Sequence, residues 1–593
     1  VIVLLFAAAA AAVVPGPSTA QGPGSAGQDA IPANPKLAWS LNQLLFAYDG
    51  GGAAGVQAFS DASAVEVQDG TVAVTIHATP QAIQEISASI PDFGGEIHGA
   101  YGPRLVAHVP IDALVPLAQL EQVALITEPR RPVLLEPEVG RYTTEGLVAS
   151  NAPAWHTAGN QGAGVRIAVI DAGFTGYANL LGSDLPGSVV TYDWTGTGMG
   201  GSTHGTACAE IVHDMAPLAA IYLHKVNFTT DLGQAVDQAI ADGVDVISMS
   251  LGWTIDGPGD GTGFLSNIVK KARQNGVFFA TAAGNEAGET WHGTYQNYGD
   301  GHHQWAPGVW INELTDYLYA GELIRIGLHW DDWSGTGQDY DLELYRWNGA
   351  GWTLETASRN RQSAGYATPE EWIGIYAPLG GTYGIAVNRH SATRDVCFRV
   401  LAPKMGELGH FSAGRNLTFP ADAAEAISAA ALDVKTPYPL ESYSSRGPTM
   451  GPGGACTGGS TKPDLGGYAN VSTVSYGPSF FDGTSSATPH VAGAAALVIG
   501  ALPTYSPGQV QSFLEQRALD QGPPGKDNAY GSGRLYLGTP PNGGNTPPSI
   551  SGLPDQVLAM NSSQDPAIDL WTYARVAESS TSDLTFAIDN APT

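Results

Sequence analysis

The chain has 593 residues, enough for several domains, and 43% of them are hydrophobic, an ordinary share for globular protein. Twenty-six basic residues face fifty-six acidic ones, and a net charge of −30 argues against binding nucleic acid or an anionic membrane and fits solubility outside the cell. Three cysteines, Cys208, Cys397 and Cys456, exclude a disulfide framework as the main source of stability.

Taken from the amino terminus, Val1 to Val14 is an unbroken apolar run ending at Pro15, shorter than the about 20 residues of a membrane span. It reads as the core of a secretory signal over residues 1–20, with small residues at Ser18-Thr19-Ala20 for cleavage, so a secreted, extracellular protein is expected. No Met or basic leader precedes it, which implies a sequence that begins late. Residues 21–62 read as linker. In 63–135 the pattern predicts strands over Thr71–Ala78, Leu105–Val109 and Val123–Ile126, with helices over Pro80–Ile90 and Ile111–Leu120. This order suggests a compact α+β unit of ferredoxin-like type. Arg130-Arg131 to about Gly146 is expected to be a processing or linker region.

From 145 to 299, helices alternate with apolar strands, the signature of a parallel α/β sheet. Val165–Ile170 is a β-branched run with Asp171 directly at its carboxyl end, the edge where sites form in such sheets. By itself this Asp would be a turn former. His204 opens a helix of small residues, Gly205-Thr206-Ala207-Cys208-Ala209, and Asn285 follows the strand Val277–Ala282 through Ala283-Gly284. Cys208, one turn after His204, reads as a buried filler beneath the imidazole.

Over 300–403 the character changes. Leu323–Trp330 and Asp341–Tyr345 alternate and Gly381–Val387 forms a further strand, which predicts an all-β sandwich inserted into the α/β part. Asp331, Asp332, Asp339 and Asp341 cluster there, as solvated loop carboxylates or, less expectedly, oxygen ligands of a Ca²⁺ ion. The α/β part resumes over 404–538. Within it Gly483-Thr484-Ser485 leads into a helix apolar on nearly every face to about Ile499, so that Ser485 sits beside free N–H groups and the positive dipole end. Alone, Ser485 would be an N-cap. Residues 539–548 are a Pro/Gly/Asn linker, and 549–593 read as the first strands of an immunoglobulin- or cadherin-like module, too short for a sandwich of about 100 residues.

The order Asp171, His204, Ser485, with Asn285 between, supplies an acid to orient an imidazole, a base, a nucleophile and an amide for a developing oxyanion. These motifs, in this order over about 145–540, resemble the subtilases, the subtilisin-like serine endopeptidases. The resemblance implies an α/β fold with a parallel sheet between helices, Asp171, His204 and Ser485 as catalytic residues, and Asn285 as oxyanion donor. It also implies that Ser250-Leu251-Gly252 and Ala282-Ala283-Gly284 border the primary substrate pocket. Tyr443–Pro448, Lys462-Pro463-Asp464 and Tyr530–Leu535 resemble further family segments. The 63–135 unit resembles a subtilase propeptide, which assists folding and covers the cleft until removed. Three departures stand out: Ala172 after the Asp, Leu465-Gly466-Gly467 after Asp464, and Trp253 after Gly252, whose indole either narrows a subsite or, preferably, packs. Cys397 and Cys456 are free to pair, but spacing alone does not show it.

The function expected is secreted peptide-bond hydrolysis by a Ser-His-Asp triad, with a polypeptide substrate, no cofactor required for chemistry, a structural Ca²⁺ admitted at unassigned ligands, no transmembrane span and a monomeric state. The contending reading is an inactive subtilase-fold surface protein that binds through its β-modules.

Overall fold

The computed structural model describes residues 34–131, 143–335, 337–366 and 368–541, with two short strands at Ser549–Ile550 and Ala574–Arg575. The proposed signal over 1–20, most of the processing segment and most of the terminal module lie outside the described residues. The described part of the 21–62 segment is not a linker. Helix α1 (Trp39–Ala62) buries Leu41 and Leu44 in the core of the small unit that follows, with Gly52 kinking it at φ 54°. Gly50-Gly51-Gly52 dilutes the helical period in the sequence, and tertiary burial overrides that weak propensity.

The small unit continues as β1 (Thr71–Ala78), α2 (Pro80–Ser89), β2 (Glu96–Tyr101), β3 (Arg104–Pro110), α3 (Leu114–Gln119) and β4 (Val123–Thr127). Its antiparallel sheet runs β4-β1-β3-β2 in a βαββαβ order. Strand β2 was not anticipated, because Ile97 is the one aliphatic side chain from Glu96 to Tyr101 larger than alanine.

The α/β part holds β5 (Arg166–Asp171), β6 (Val190–Asp193), α4 (His204–Met215), β7 (Ala220–Lys225), α5 (Thr229–Ala241), β8 (Val246–Met249), α6 (Phe264–Gln274) and β9 (Phe278–Ala282). The sandwich then begins at Thr290, ten residues before the expected boundary, with β10 (Thr290–Thr294), β11 (Leu323–Trp330), β12 (Asp339–Trp347), β13 (Trp352–Ser358), β14 (Glu370–Tyr376), β15 (Tyr383–Ser391) and β16 (Cys397–Leu401). Its sheets are β10-β16-β11-β14 and, starting from the pair Asn312–Glu313, β15-β12-β13. Both are antiparallel. The second half of the α/β part adds β17 (Ile427–Asp433), β18 (Leu465–Ala469), a hairpin of β19 (Val471–Thr473) and β20 (Gly477–Phe481), α7 (Gly483–Ala501) and α8 (Pro507–Arg517).

The main sheet is parallel throughout, in the order β18-β17-β9-β8-β5-β7-β6. Alternation along β5 serves two cores: Ile167 and Val169 pack beneath α4 and α7, while Ala168 and Ile170 pack with Leu232 and Val236 of α5 and Leu265 of α6. The segment after Lys462-Pro463-Asp464 departs from the family pattern in sequence, yet it becomes edge strand β18.

The small unit lays β2 and β3 on α5 and α6. Tyr101 occupies the space a side chain at Gly233 would fill, His98 Nε2 lies 3.1 Å from Asp231 Oδ1, and Arg104 pairs with Asp256 at 2.6 Å. It also touches the sandwich: Ala64 N–H donates to the Gly374 carbonyl at 2.7 Å at the edge of β14, and Arg130 pairs with Glu370. The carboxylates proposed for Ca²⁺ are engaged within the protein. Asp331 and Asp332 meet Arg394, Asp341 meets Arg361 at 3.1 Å, and Asp339 accepts the Ser363 hydroxyl at 2.5 Å. Cys397 and Cys456 form a disulfide joining the sandwich to the α/β part. Among the described residues no helix is long and apolar enough to cross a membrane.

Candidate active site

The site forms at the carboxyl edge of the three neighbouring strands β9, β8 and β5. Asp171 ends β5, Ser250 follows β8, and Asn285 follows β9. In sequence these residues are scattered over more than a hundred positions; parallel register brings their strand ends together.

Asp171 and His204 are both fully buried, and Asp171 Oδ2 lies 2.8 Å from His204 Nδ1. Asp171 also accepts the N–H of Ala172 through Oδ1 at 2.8 Å. A carboxylate on Nδ1 keeps the ring proton there and leaves Nε2 as the basic nitrogen. Nε2 is buried and has no hydrogen-bond partner among the described residues. Phe481 at the end of β20 meets the imidazole edge to face, with centroids 5.6 Å apart.

Ser485 is not an N-cap. The helix begins two residues earlier, after Asp482, and Gly483 takes φ 80°, the left-handed region that glycine reaches without a Cβ clash. Pro489 therefore lies deeper than the first turn. It has no N–H to give the Ser485 carbonyl four residues back. That carbonyl accepts instead from Ser250 Oγ at 2.8 Å and from the Cys208 thiol at 3.7 Å, which ties β8, α4 and α7 together at the serine. The Ser485 hydroxyl donates to the Ser250 carbonyl at 3.3 Å and forms no hydrogen bond with His204 Nε2.

Asn285 is oriented by Thr484, a residue of the Gly483-Thr484-Ser485 motif whose role the motif does not reveal. Its Oδ1 accepts from Thr484 N–H and Thr484 Oγ1, both at 2.9 Å, leaving the side-chain NH₂ facing away from Thr484 at a partly exposed position. Thr484 Oγ1 in turn accepts from Gly284 N–H at 3.2 Å. Ser250-Leu251-Gly252 and Ala282-Ala283-Gly284 continue from adjacent strands, with Met249 in register with Thr281. Thr418 bonds behind them: its N–H donates to the Ala283 carbonyl at 3.0 Å, and its side chain fills the space beside Gly252. Trp253 is 1% exposed and exchanges backbone hydrogen bonds with Phe419, so the indole packs in the core and does not narrow a subsite. Thr418 lies beyond the insert, and no local motif marks it.

Among the described residues, Asp171, His204 and Cys208 are the one trio of metal-ligating side chains with ligand atoms within 4.8 Å of one another. They do not suit a metal. Asp171 and His204 already bond to each other, and burial, with the Asp171 charge next, holds the Cys208 thiol well above its ordinary pKa and so protonated.

The parallel sheet thus gathers at one edge a carboxylate, an imidazole at one helix start, a serine near another and an amide beyond a strand end. Residues 162–304 and 404–533 match the model of the Subtilase family, the first segment running into the start of the sandwich. The chain is 34% identical over 164 residues to subtilisin E of Bacillus subtilis, covering 25% of this chain and 42% of that protein. It is 35% identical over 156 residues to the subtilisin of Bacillus pumilus, 24% of this chain and 54% of that one. The minor extracellular protease Vpr of Bacillus subtilis matches at 25% identity over 436 residues, 65% of this chain and 52% of Vpr. The chain thus spans about half the length of these relatives. A solved structure of the Clostridium perfringens CspB protease aligns at a TM-score of 0.49 and 18% identity, over 66% of this chain and 97% of that one.

Proposed function

We propose that the protein is a secreted serine endopeptidase whose subtilase domain cleaves polypeptides through Ser485, His204 and Asp171. The observation that carries the reading is the buried 2.8 Å contact on His204 Nδ1, because it leaves Nε2 as the proton acceptor one helix away from the serine. An extended substrate adds as a strand along Ser250-Leu251-Gly252, with Ala282-Ala283-Gly284 opposite. Ser485 Oγ gives its proton to His204 and attacks the scissile carbonyl. The Asn285 NH₂ and the Ser485 N–H then hold the oxyanion, His204 returns the proton to the leaving amine, and water repeats the sequence on the acyl-enzyme. No step calls for a cofactor. A structural Ca²⁺ and a monomeric state are compatible with this chemistry, and the 63–135 unit, with α1, is the segment that would cover the enzyme before processing.

A fluorophosphonate probe tests the reading. Folded, processed protein is expected to label at Ser485, and Ser485→Ala to abolish labelling. Absence of labelling in the wild type would favour the surface-binding alternative.

A further inference from the structure

Glu210 lies in the middle of α4, six residues beyond His204, among small apolar side chains. A carboxylate in that setting is costly unless donors surround it. Glu210 is 2% exposed, and it accepts the N–H of Val474, the N–H of Ser475 at 3.1 Å and the Ser475 hydroxyl at 2.5 Å. It therefore clasps Val474 and Ser475, the first two residues of the turn between β19 and β20. A second carboxylate holds the first arm of the same hairpin: Glu145 accepts from Ser472 N–H at 2.8 Å and Ser472 Oγ at 2.6 Å, while Ser472 Oγ accepts from Ser479 N–H across the hairpin at 2.9 Å.

The far arm of the hairpin runs into the site. Tyr476 packs on Phe481 with centroids 4.6 Å apart, and Phe481 lies against the His204 imidazole. Four residues later comes Ser485, preceded by Thr484, which fixes Asn285. One helix thus carries the base at its start and, about 1.7 turns on, the anchor of the hairpin that leads to the nucleophile.

We propose that Glu210 is a positioning residue for the reaction, setting the distance between His204 and the Phe481–Ser485 segment through the hairpin it clasps. The proposal rests on the serine endopeptidase reading. Substrate contacts at Ser250–Gly252 and Ala282–Gly284 come from other strands, so a loosened hairpin affects nucleophile alignment and not substrate affinity.

The test uses the full chain carrying Glu210→Gln or Glu210→Asp, assayed for fluorophosphonate labelling of Ser485 and for peptide kcat and KM, with circular dichroism reporting the folded fraction. A glutamine cannot accept all three donors and sets its own NH₂ against them. Glu210→Gln is expected to slow labelling and lower kcat about 10- to 100-fold at unchanged KM, and Glu210→Asp to recover part of both. If Glu210→Gln does not accumulate folded, Ser475→Ala removes one donor without stranding a group in the core and should give a smaller loss, about 3- to 10-fold. Wild-type labelling and kcat in the folded Glu210→Gln variant, a change confined to KM, or a loss matched by the unfolded fraction would overturn the positioning role alone. Failure of the wild type itself to label would overturn the peptidase reading, and this proposal with it.

Discussion

Each proposed catalytic side chain is held by a neighbour of ordinary chemistry. Thr484 turns the Asn285 amide by occupying its oxygen twice, and Pro489 frees the Ser485 carbonyl for Ser250 by lacking a proton of its own. Replacing Asn285 with Ala is expected to lower kcat about 10²–10³-fold with little change in KM, the usual worth of one oxyanion donor; steady-state kinetics on a peptide substrate checks it. Thr484→Val removes the hydroxyl but keeps the backbone N–H on Asn285 Oδ1. A smaller loss in kcat should follow, because one of the two constraints on the amide survives. The motif residues were legible because each needs a particular functional group. The roles of Thr484, Thr418 and Glu210 were not, since they exist only once distant strands lie side by side.

At the scale of elements, α4 and α7 meet closely enough that a Cβ on Gly493 would fall 2.4 Å from Met215 Cβ. Gly493→Ala is therefore expected to destabilise the α/β part by about 1–3 kcal/mol, measured by denaturant unfolding, and not to stabilise it as a helix-propensity argument would suggest. The sandwich is tied back by the disulfide Cys397–Cys456, which closes a loop of 59 residues. Replacing both cysteines with Ala should cost about 2–4 kcal/mol under oxidising conditions, and reductant should bring the wild type to the same melting temperature. Parallel strands β5 and β9 were readable as apolar runs, whereas β6, β7, β17 and β18 were not, and in the sandwich β13 and β14 also escaped notice. Their polar residues face a buried network, with Glu371 accepting hydrogen bonds from Ser358, Asn360 and Gln362, and so break the expected alternation.

Over the whole molecule, burial sets two groups of titrations against each other. Glu210, Asp214, Glu286, Asp341 and Asp422 are pushed up to about 7 and Glu289 to about 8, while His224, His292 and His490 are held at about 4 and His303 at about 3. Raised carboxyls contribute stability below their ordinary pKa and lose it as pH rises through 7–8. Lowered histidines contribute above about 6.5 and lose it as pH falls through 4 and 3. The two trends oppose each other between about 4.5 and 6.5, and above that range only the carboxyls remain, joined by the repulsion of a −30 net charge. The melting temperature is expected to fall between pH 6.5 and 8 and again below about 4.5, as calorimetry would show; a rise from pH 6.5 to 8 would contradict it.

The sequence by itself supplied the candidates for the chemistry, the residues whose groups can orient, accept, attack and donate, and the β-rich insert that divides an α/β chain. Those properties follow from functional groups and from local periodicity. Only the tertiary structure decided that residues 39–62 form a helix in the small unit's core, that Trp253 packs inward, that Cys397 reaches Cys456, and that a carboxylate on the histidine's helix clasps the strand before the serine. Each of these depends on which surfaces meet across long separations, and no local pattern encodes that.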